Sequence, residues 1–276
     1  MRRQAPLRWL ATTVAVVTLG TFALSACGDD DNDTASGTTT TAAELTGTKA
    51  ACQDWLKVEK TANEGPGGGD EQPTPEQGKA FVAKLQPVFA RFAEHAPDEL
   101  AATTADIQSR FTAAAANGDI SNLDPSSDEA FGTELNKIED WVHSDCGFQN
   151  LDVVAVDYEF QGMPATLKAG PTSISFMNHA TDEFHELNIM RINDGAKMNV
   201  DEIEAAIHKD ANAAEAQVGD QVTFVANTGA APGKSSATTT TLTKGDYLVT
   251  CFVPVGGKDG APPHAQMGMM QKFTVG

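Results

Sequence analysis

The texture of the chain changes once, at Gly147, and that change decides what it can fold into. Before it, apolar residues recur at spacings of three and four. After it come short runs rich in Val, Ile, Thr, Phe and Tyr, with Gly, Pro or Asn in most of the gaps. Helices first and strands second imply two separate domains rather than a sheet of alternating β/α units. The expected fold class is therefore α+β: an N-terminal antiparallel helical bundle over residues 44–147, then a Greek-key β-sandwich over 150–276 with one helical insertion. Apolar residues make up 41% of the 276 and charged ones 21%, enough for two cores and unlike a disordered or multi-span membrane chain. The formal charge of −19 opposes binding to a phosphate backbone, so no nucleic-acid partner is expected.

In the first half, Leu45 to Asn63 reads as a helix, followed by a Gly-rich loop. Pro75 sits at a first helical position, and a second helix reaches His95 with Phe81, Leu85, Val88, Phe89 and Phe92 as its apolar stripe. Pro87 inside that helix is expected to kink it. A third helix runs from Asp98 to Ala116, with Leu100, Ile107 and Phe111 inward and Asn117-Gly118 as its stop. Ser126 with Glu129 reads as a capping box for a fourth, which carries Phe131, Leu135, Ile138, Trp141 and Val142.

Ahead of these helices, residues 1–26 read as a signal peptide. Arg2, Arg3 and Arg8 precede an uncharged run from Trp9 to Ala23 that is short for a spanning helix, which needs about 20 apolar residues. Leu24-Ser25-Ala26-Cys27-Gly28 resembles the bacterial lipobox, which implies lipidation at Cys27 and anchoring on the outer face of the cytoplasmic membrane. Residues 27–43, with the acidic run from Asp29 to Asp33 and a Thr-, Ser- and Ala-rich stretch, read as a disordered tether. Without residues 1–26 the chain carries 16 Lys and Arg against 38 Asp and Glu, and most of the acidity lies before residue 151.

With Cys27 committed to lipid, three cysteines remain in an oxidising compartment. Cys52 lies early in the first helix and Cys146 just past the fourth, positions that meet at one end of an up-down-up-down bundle. A Cys52–Cys146 disulfide is therefore expected, leaving Cys251 as the odd thiol.

In the second half, strands are expected at Leu151–Phe160, Thr172–Met177, Phe184–Ile192, Gln221–Ala226, Thr238–Leu242, Asp246–Val253 and Lys272–Val275. Asn199 with Glu202 starts one helix among them. Alternation puts His185, Leu187 and Ile189 on one face of their strand, and Tyr247, Val249, Cys251 and Val253 on one face of theirs. The connection after Cys251 holds Pro254, Gly256-Gly257, Gly260, Pro262-Pro263 and then His264, Met267 and Met269. It is long, and flexible in composition.

His185, then Cys251, His264 and Met269 around one loop before the last strand, resembles the ligand order of the cupredoxins, the blue-copper fold. The resemblance covers roughly residues 150 to 276. It implies copper as cofactor, with His185, Cys251 and His264 as equatorial ligands and Met269 axial, Met267 being the alternative axial thioether. It further implies electron transfer or copper handling with a protein redox or copper-transfer partner, and no catalysis. The whole arrangement also resembles lipoproteins of the actinobacterial type. The competing expectation is a copper-free cupredoxin-like structural or protein-binding module, with Cys251 a buried core thiol and both histidines on the rim.

Other signals are weak. Gly229 to Ser235 is one residue short of a nucleotide phosphate loop and contains Pro232, so no nucleotide is expected. His185-Glu186 lacks the second histidine of a zinc-protease helix. Asp140 and His143 make half of a bundle di-iron motif and read as exposed helix residues; His95, His179 and His208 read as surface residues. No serine or cysteine nucleophile motif is present.

Overall fold

A computed structural model describes residues 46–66, 72–125 and 128–276. The signal segment, Cys27, the tether and Ser126 lie outside the described residues.

Four helices come first: α1 (Thr48–Asn63), α2 (Pro75–His95), α3 (Ala101–Asn117) and α4 (Glu129–Asp145). Thr74 caps α2 in a reciprocal box with Gln77, and Pro75 opens it as expected. The helix is continuous across Pro87. Gly118 ends α3 at φ 82° and lies so close to Gly78 of α2 that a Cβ on Gly78 would meet its carbonyl oxygen at 2.0 Å. The cap of α4 is Asp128, whose carboxylate accepts the Phe131 amide at 3.0 Å. Between the helices, Trp55, Phe89, Phe92, Phe111 and Trp141 interlock with ring centroids 5.0–6.5 Å apart. The Cys52–Cys146 disulfide forms, tying the start of α1 to the end of α4 across 94 residues.

Nine strands follow: β1 (Gln149–Val156), β2 (Glu159–Gln161), β3 (Thr166–Leu167), β4 (Gly170–Asn178), β5 (His185–Ile192), β6 (Val222–Ala230), β7 (Ser235–Leu242), β8 (Gly245–Thr250) and β9 (Met270–Val275). They make two sheets, ordered β2-β1-β4-β7 and β3-β9-β8-β5-β6. Three departures from the expected pattern have local causes. The run Leu151–Phe160 is two strands, because Asp157 takes a positive φ of 34° and turns the chain at Tyr158. The two-residue β3 was not expected; it pairs in parallel with β9. The helical insertion is double, α5 (Val200–Lys209) followed by α6 (Ala211–Val218), the second being too Ala-rich to show an apolar stripe.

The sheets enclose a core of Leu151, Val153, Ile174, Phe176, Leu187, Ile189, Tyr247, Val249 and Phe273. The opposite face of the five-stranded sheet is buried too: Met190, Leu248 and Phe252 pack against Ile203, Ile207, Ala214 and Val218 of α5 and α6. Burial on both faces explains the unbroken apolar run from Tyr247 to Val249. Helices α1 and α4 cover β7 of the four-stranded sheet through polar contacts. Thr238 donates to Glu59 at 2.8 Å, Thr239 to Glu139 at 2.6 Å, and His143 meets Ser173 Oγ at 3.0 Å. His143 is thus half-buried against β4 rather than exposed, and Gly229–Ser235 covers the end of β6, the turn after it and the first residue of β7.

Candidate metal centre

His185 opens β5, Cys251 follows the last residue of β8, and His264 begins a short 3-10 turn before β9. All three are fully buried, and their ligand atoms lie within 4.8 Å of one another. The side chains converge through particular atoms. His264 Nδ1 is 3.0 Å from His185 Nδ1 and 3.3 Å from Cys251 Sγ, and Cys251 Sγ is 3.9 Å from His185 Nδ1. Two nitrogens and a sulfur bound trigonally to one ion, at bond lengths of about 2.0 and 2.3 Å, would stand about 3.5 Å apart. The observed triangle has that size.

Long as it is, the loop from Cys251 to Met269 is fastened rather than loose. Val255 donates to the Pro262 carbonyl at 3.0 Å, His264 to Val253 at 2.9 Å and Ala265 to Cys251 at 2.8 Å. Pro254 and Pro263 face each other as an isolated antiparallel bridge. At its base the Cys251 amide donates to the Met269 carbonyl at 3.2 Å, and the Met269 amide donates to the His264 carbonyl at 3.0 Å. Met269 is thereby held beside both residues and is fully buried in the same core as Cys251. Met267, the alternative thioether, is 51% exposed.

The protonation states are set by burial. Desolvation holds His185 near a pKa of about 4, helped by its neighbour His264, and it lowers His264 against the opposing pull of Glu183. Both shifts favour the neutral imidazole, the form that ligates. Burial also raises the Cys251 thiol far above its ordinary value, with the charge of Glu186 adding to the effect. The Glu186 amide donates to Cys251 Sγ at 3.4 Å, a contact that favours a thiolate. A cation held between these residues would supply the compensating charge that this thiol lacks, and its binding would release the thiol proton.

Sequence reasoning missed Glu183, in the β4–β5 connection. Its carboxylate lies 2.9 Å from His264 Nε2 and accepts the Tyr158 hydroxyl at 3.1 Å and the Gly256 amide at 3.0 Å. Burial pushes its pKa up, but the Gly256 amide, His264 and Tyr158 together overcome this and hold it below the usual carboxylate value. The Glu183 backbone is fixed in turn by fully buried Asn178, whose amide donates to the carbonyls of Glu183 and Ala230 at 2.8 and 2.9 Å. The one unpaired polar atom among the three ligand side chains is His185 Nε2, on the ring edge facing away from the centre.

No protein-family model matches the chain, and no curated protein does. Among solved structures it is similar to auracyanin from Roseiflexus castenholzii, at 20% identity over 46% of this chain and 97% of that one, with a TM-score of 0.32. It is likewise similar to auracyanin A of Chloroflexus aurantiacus, described as a "blue" copper protein (18% identity, 46% and 98% covered, TM-score 0.29). A third similar structure is an azurin from Methylomonas sp. strain J (14%, 46% and 95%, TM-score 0.27).

Proposed function

We propose that the chain is a membrane-anchored, extracytoplasmic copper protein that carries single electrons or hands on copper, and that it performs no catalysis. The observation that carries the reading is the convergence of one buried thiol and two buried imidazole Nδ1 atoms on a single point. The donor chemistry selects the metal: thiolate sulfur is a soft ligand suited to copper(I), imidazole accepts both copper oxidation states, and two histidines, one cysteine and a distant methionine are the donor set of blue-copper sites. His185, Cys251 and His264 would hold the copper, with Met269 as the fourth ligand. Bound copper would supply a one-electron couple. The chain contributes a dry, prefolded pocket, in which the fastened Cys251–Met269 loop and Glu183 limit how far the ligands shift between oxidation states.

The Cys52–Cys146 disulfide supports an oxidising compartment. Anchoring rests on the lipobox-like residues around Cys27, and no helix among the described residues is long and apolar enough to cross a membrane. The two-domain reading is part of the proposal: helices over residues 44–147 as an antiparallel bundle, strands over 150–276 as a cupredoxin-like Greek-key sandwich.

The test is titration of the purified protein with copper under controlled redox conditions, followed by visible and EPR spectra. One equivalent bound with an intense thiolate-to-copper band supports the electron-transfer reading. One equivalent without that band points to storage or delivery. No binding overturns the copper assignment in favour of a structural or protein-binding module.

A further inference from the structure

We propose that Glu183 is the positioning residue of this centre, orienting His264 as a ligand and setting the centre's preference between copper oxidation states; the inference rests on the copper reading above. The geometry assigns the role. An ionised carboxylate offers only acceptors, so its contact with His264 Nε2 at 2.9 Å requires the proton to sit on Nε2. The lone pair of His264 then falls on Nδ1, the atom that faces His185 Nδ1 and Cys251 Sγ.

The same carboxylate is a three-way clamp. It takes the Gly256 amide from the tip of the loop that carries His264, and the Tyr158 hydroxyl from the turn between β1 and β2. The Tyr158 ring meets the His264 ring edge-on at 4.9 Å, so imidazole, phenol and carboxylate close the outer edge of the centre together. Asn178 fixes the clamp from behind through the Glu183 carbonyl. A negative charge hydrogen-bonded to a ligand imidazole makes the ligand more basic and favours the more highly charged metal ion. Glu183 therefore stabilises copper(II) over copper(I).

The test uses the full-length protein with copper(I) and copper(II) as probes, and the variants Glu183→Gln and Glu183→Ala. In E183Q the amide oxygen still accepts from His264, so the visible band persists. Loss of the charge moves the copper(I)-to-copper(II) affinity ratio toward copper(I) by about tenfold, read as a rise in reduction potential of about 59 mV for one electron. E183A also loses the acceptor, and copper affinity falls by about 10- to 100-fold. Unchanged potential in E183Q, together with unchanged affinity in E183A, overturns the proposal. Should E183A fail to fold, the potential of E183Q decides alone.

A measurement without metal separates this proposal from the copper reading. The imidazole nitrogen NMR spectrum of the metal-free wild type should show His264 protonated at Nε2, and E183Q should retain that tautomer. A wild type protonated at Nδ1 overturns the positioning role whatever the copper titration shows. A wild type that takes up no copper overturns the function proposed above and, with it, the redox part of Glu183's role.

Discussion

Two of the buried polar clusters among the described residues are built on opposite plans. Under helices α1 and α4, the Glu139 carboxylate accepts from Trp55 Nε1 at 2.8 Å and Thr239 Oγ at 2.6 Å, while Glu59 accepts from Thr238 at 2.8 Å. These acceptors meet side-chain donors, as a structural contact between layers requires. Between the two sheets, His185 Nδ1, Cys251 Sγ and His264 Nδ1 stand 3.0–3.9 Å from one another, and the surrounding donors and acceptors fasten their backbones and outer edges. Burial alone therefore does not mark a functional cluster. Donors that satisfy acceptors mark a joint, whereas ligand atoms left to converge mark a site for something else.

The sharpest way to break that comparison is to remove the sulfur. Cys251→Ser should abolish the thiolate-to-copper band entirely while the far-ultraviolet dichroism stays native, because the exchange conserves shape inside a closed core. Survival of the band in the variant would disprove Cys251 as ligand. The largest change on the helical side is the double variant Cys52→Ala with Cys146→Ala. It should lower stability by about 4 kcal/mol, since the bridge closes a loop of 94 residues in the unfolded chain. Urea unfolding measures the loss, and the copper spectrum of the folded fraction should not change.

The joint between helices and sheet should show itself in pH. Burial pushes Glu59 up to about 7, and burial with the nearby charge of Glu59 raises Glu139. Between about pH 4.5 and pH 7 the folded chain then holds protons that the unfolded chain has released. Their contribution to stability is greatest at the acidic end of that window and falls as pH rises through 7. Asp54 works in the opposite sense at lower pH. Burial raises it, but Lys57, His95 and Arg91 outweigh that and hold it below its ordinary value. Its contribution is present above the usual carboxylate range and is lost as pH falls through its depressed pKa. Buried His185 and His264 act the other way, adding stability as pH rises through the ordinary histidine range. The Glu59 contribution is therefore read as the difference between wild type and Glu59→Gln, in which the wild type should lose stability relative to the variant between about pH 5 and 8. A difference that stays constant or moves the other way over that range would contradict the assignment.

What could be read before folding follows the same division. The stripe of Leu85, Phe89 and Phe92, the pairing of Cys52 with Cys146, and the order His185, Cys251, His264, Met269 are visible in the sequence because period, topology and order are properties of the chain itself. Glu183, Tyr158 and the Glu59–Glu139 joint are not. They depend on which loop tip meets which turn and which helix face lands on which strand, and no spacing encodes that. Helix α6 escaped for a different reason: its inward residues, Ala211, Ala214 and Val218, are so small that they barely contrast with their neighbours.

The smallest expected effect separates local helix chemistry from the metal centre. Asp128 caps α4 by accepting the Phe131 amide, and its second oxygen accepts from Arg110 Nη1 at 2.8 Å. Arg110 also lies over the Phe131 ring, 5.4 Å from its centroid. Asp128→Ala should lower the unfolding midpoint slightly, as the loss of a cap does, because the ion pair with Arg110 is partly exposed and adds little. The effect should reach the unfolding midpoint only. Helix α4 contacts the sheet on β4 and β7, whereas the proposed copper ligands come from β5 and the β8–β9 loop. A shift in the copper spectrum of this variant would mean that the layers are coupled through the Glu139–Thr239 contact, which Glu139→Gln with Asp128→Ala would then test as a double-mutant cycle.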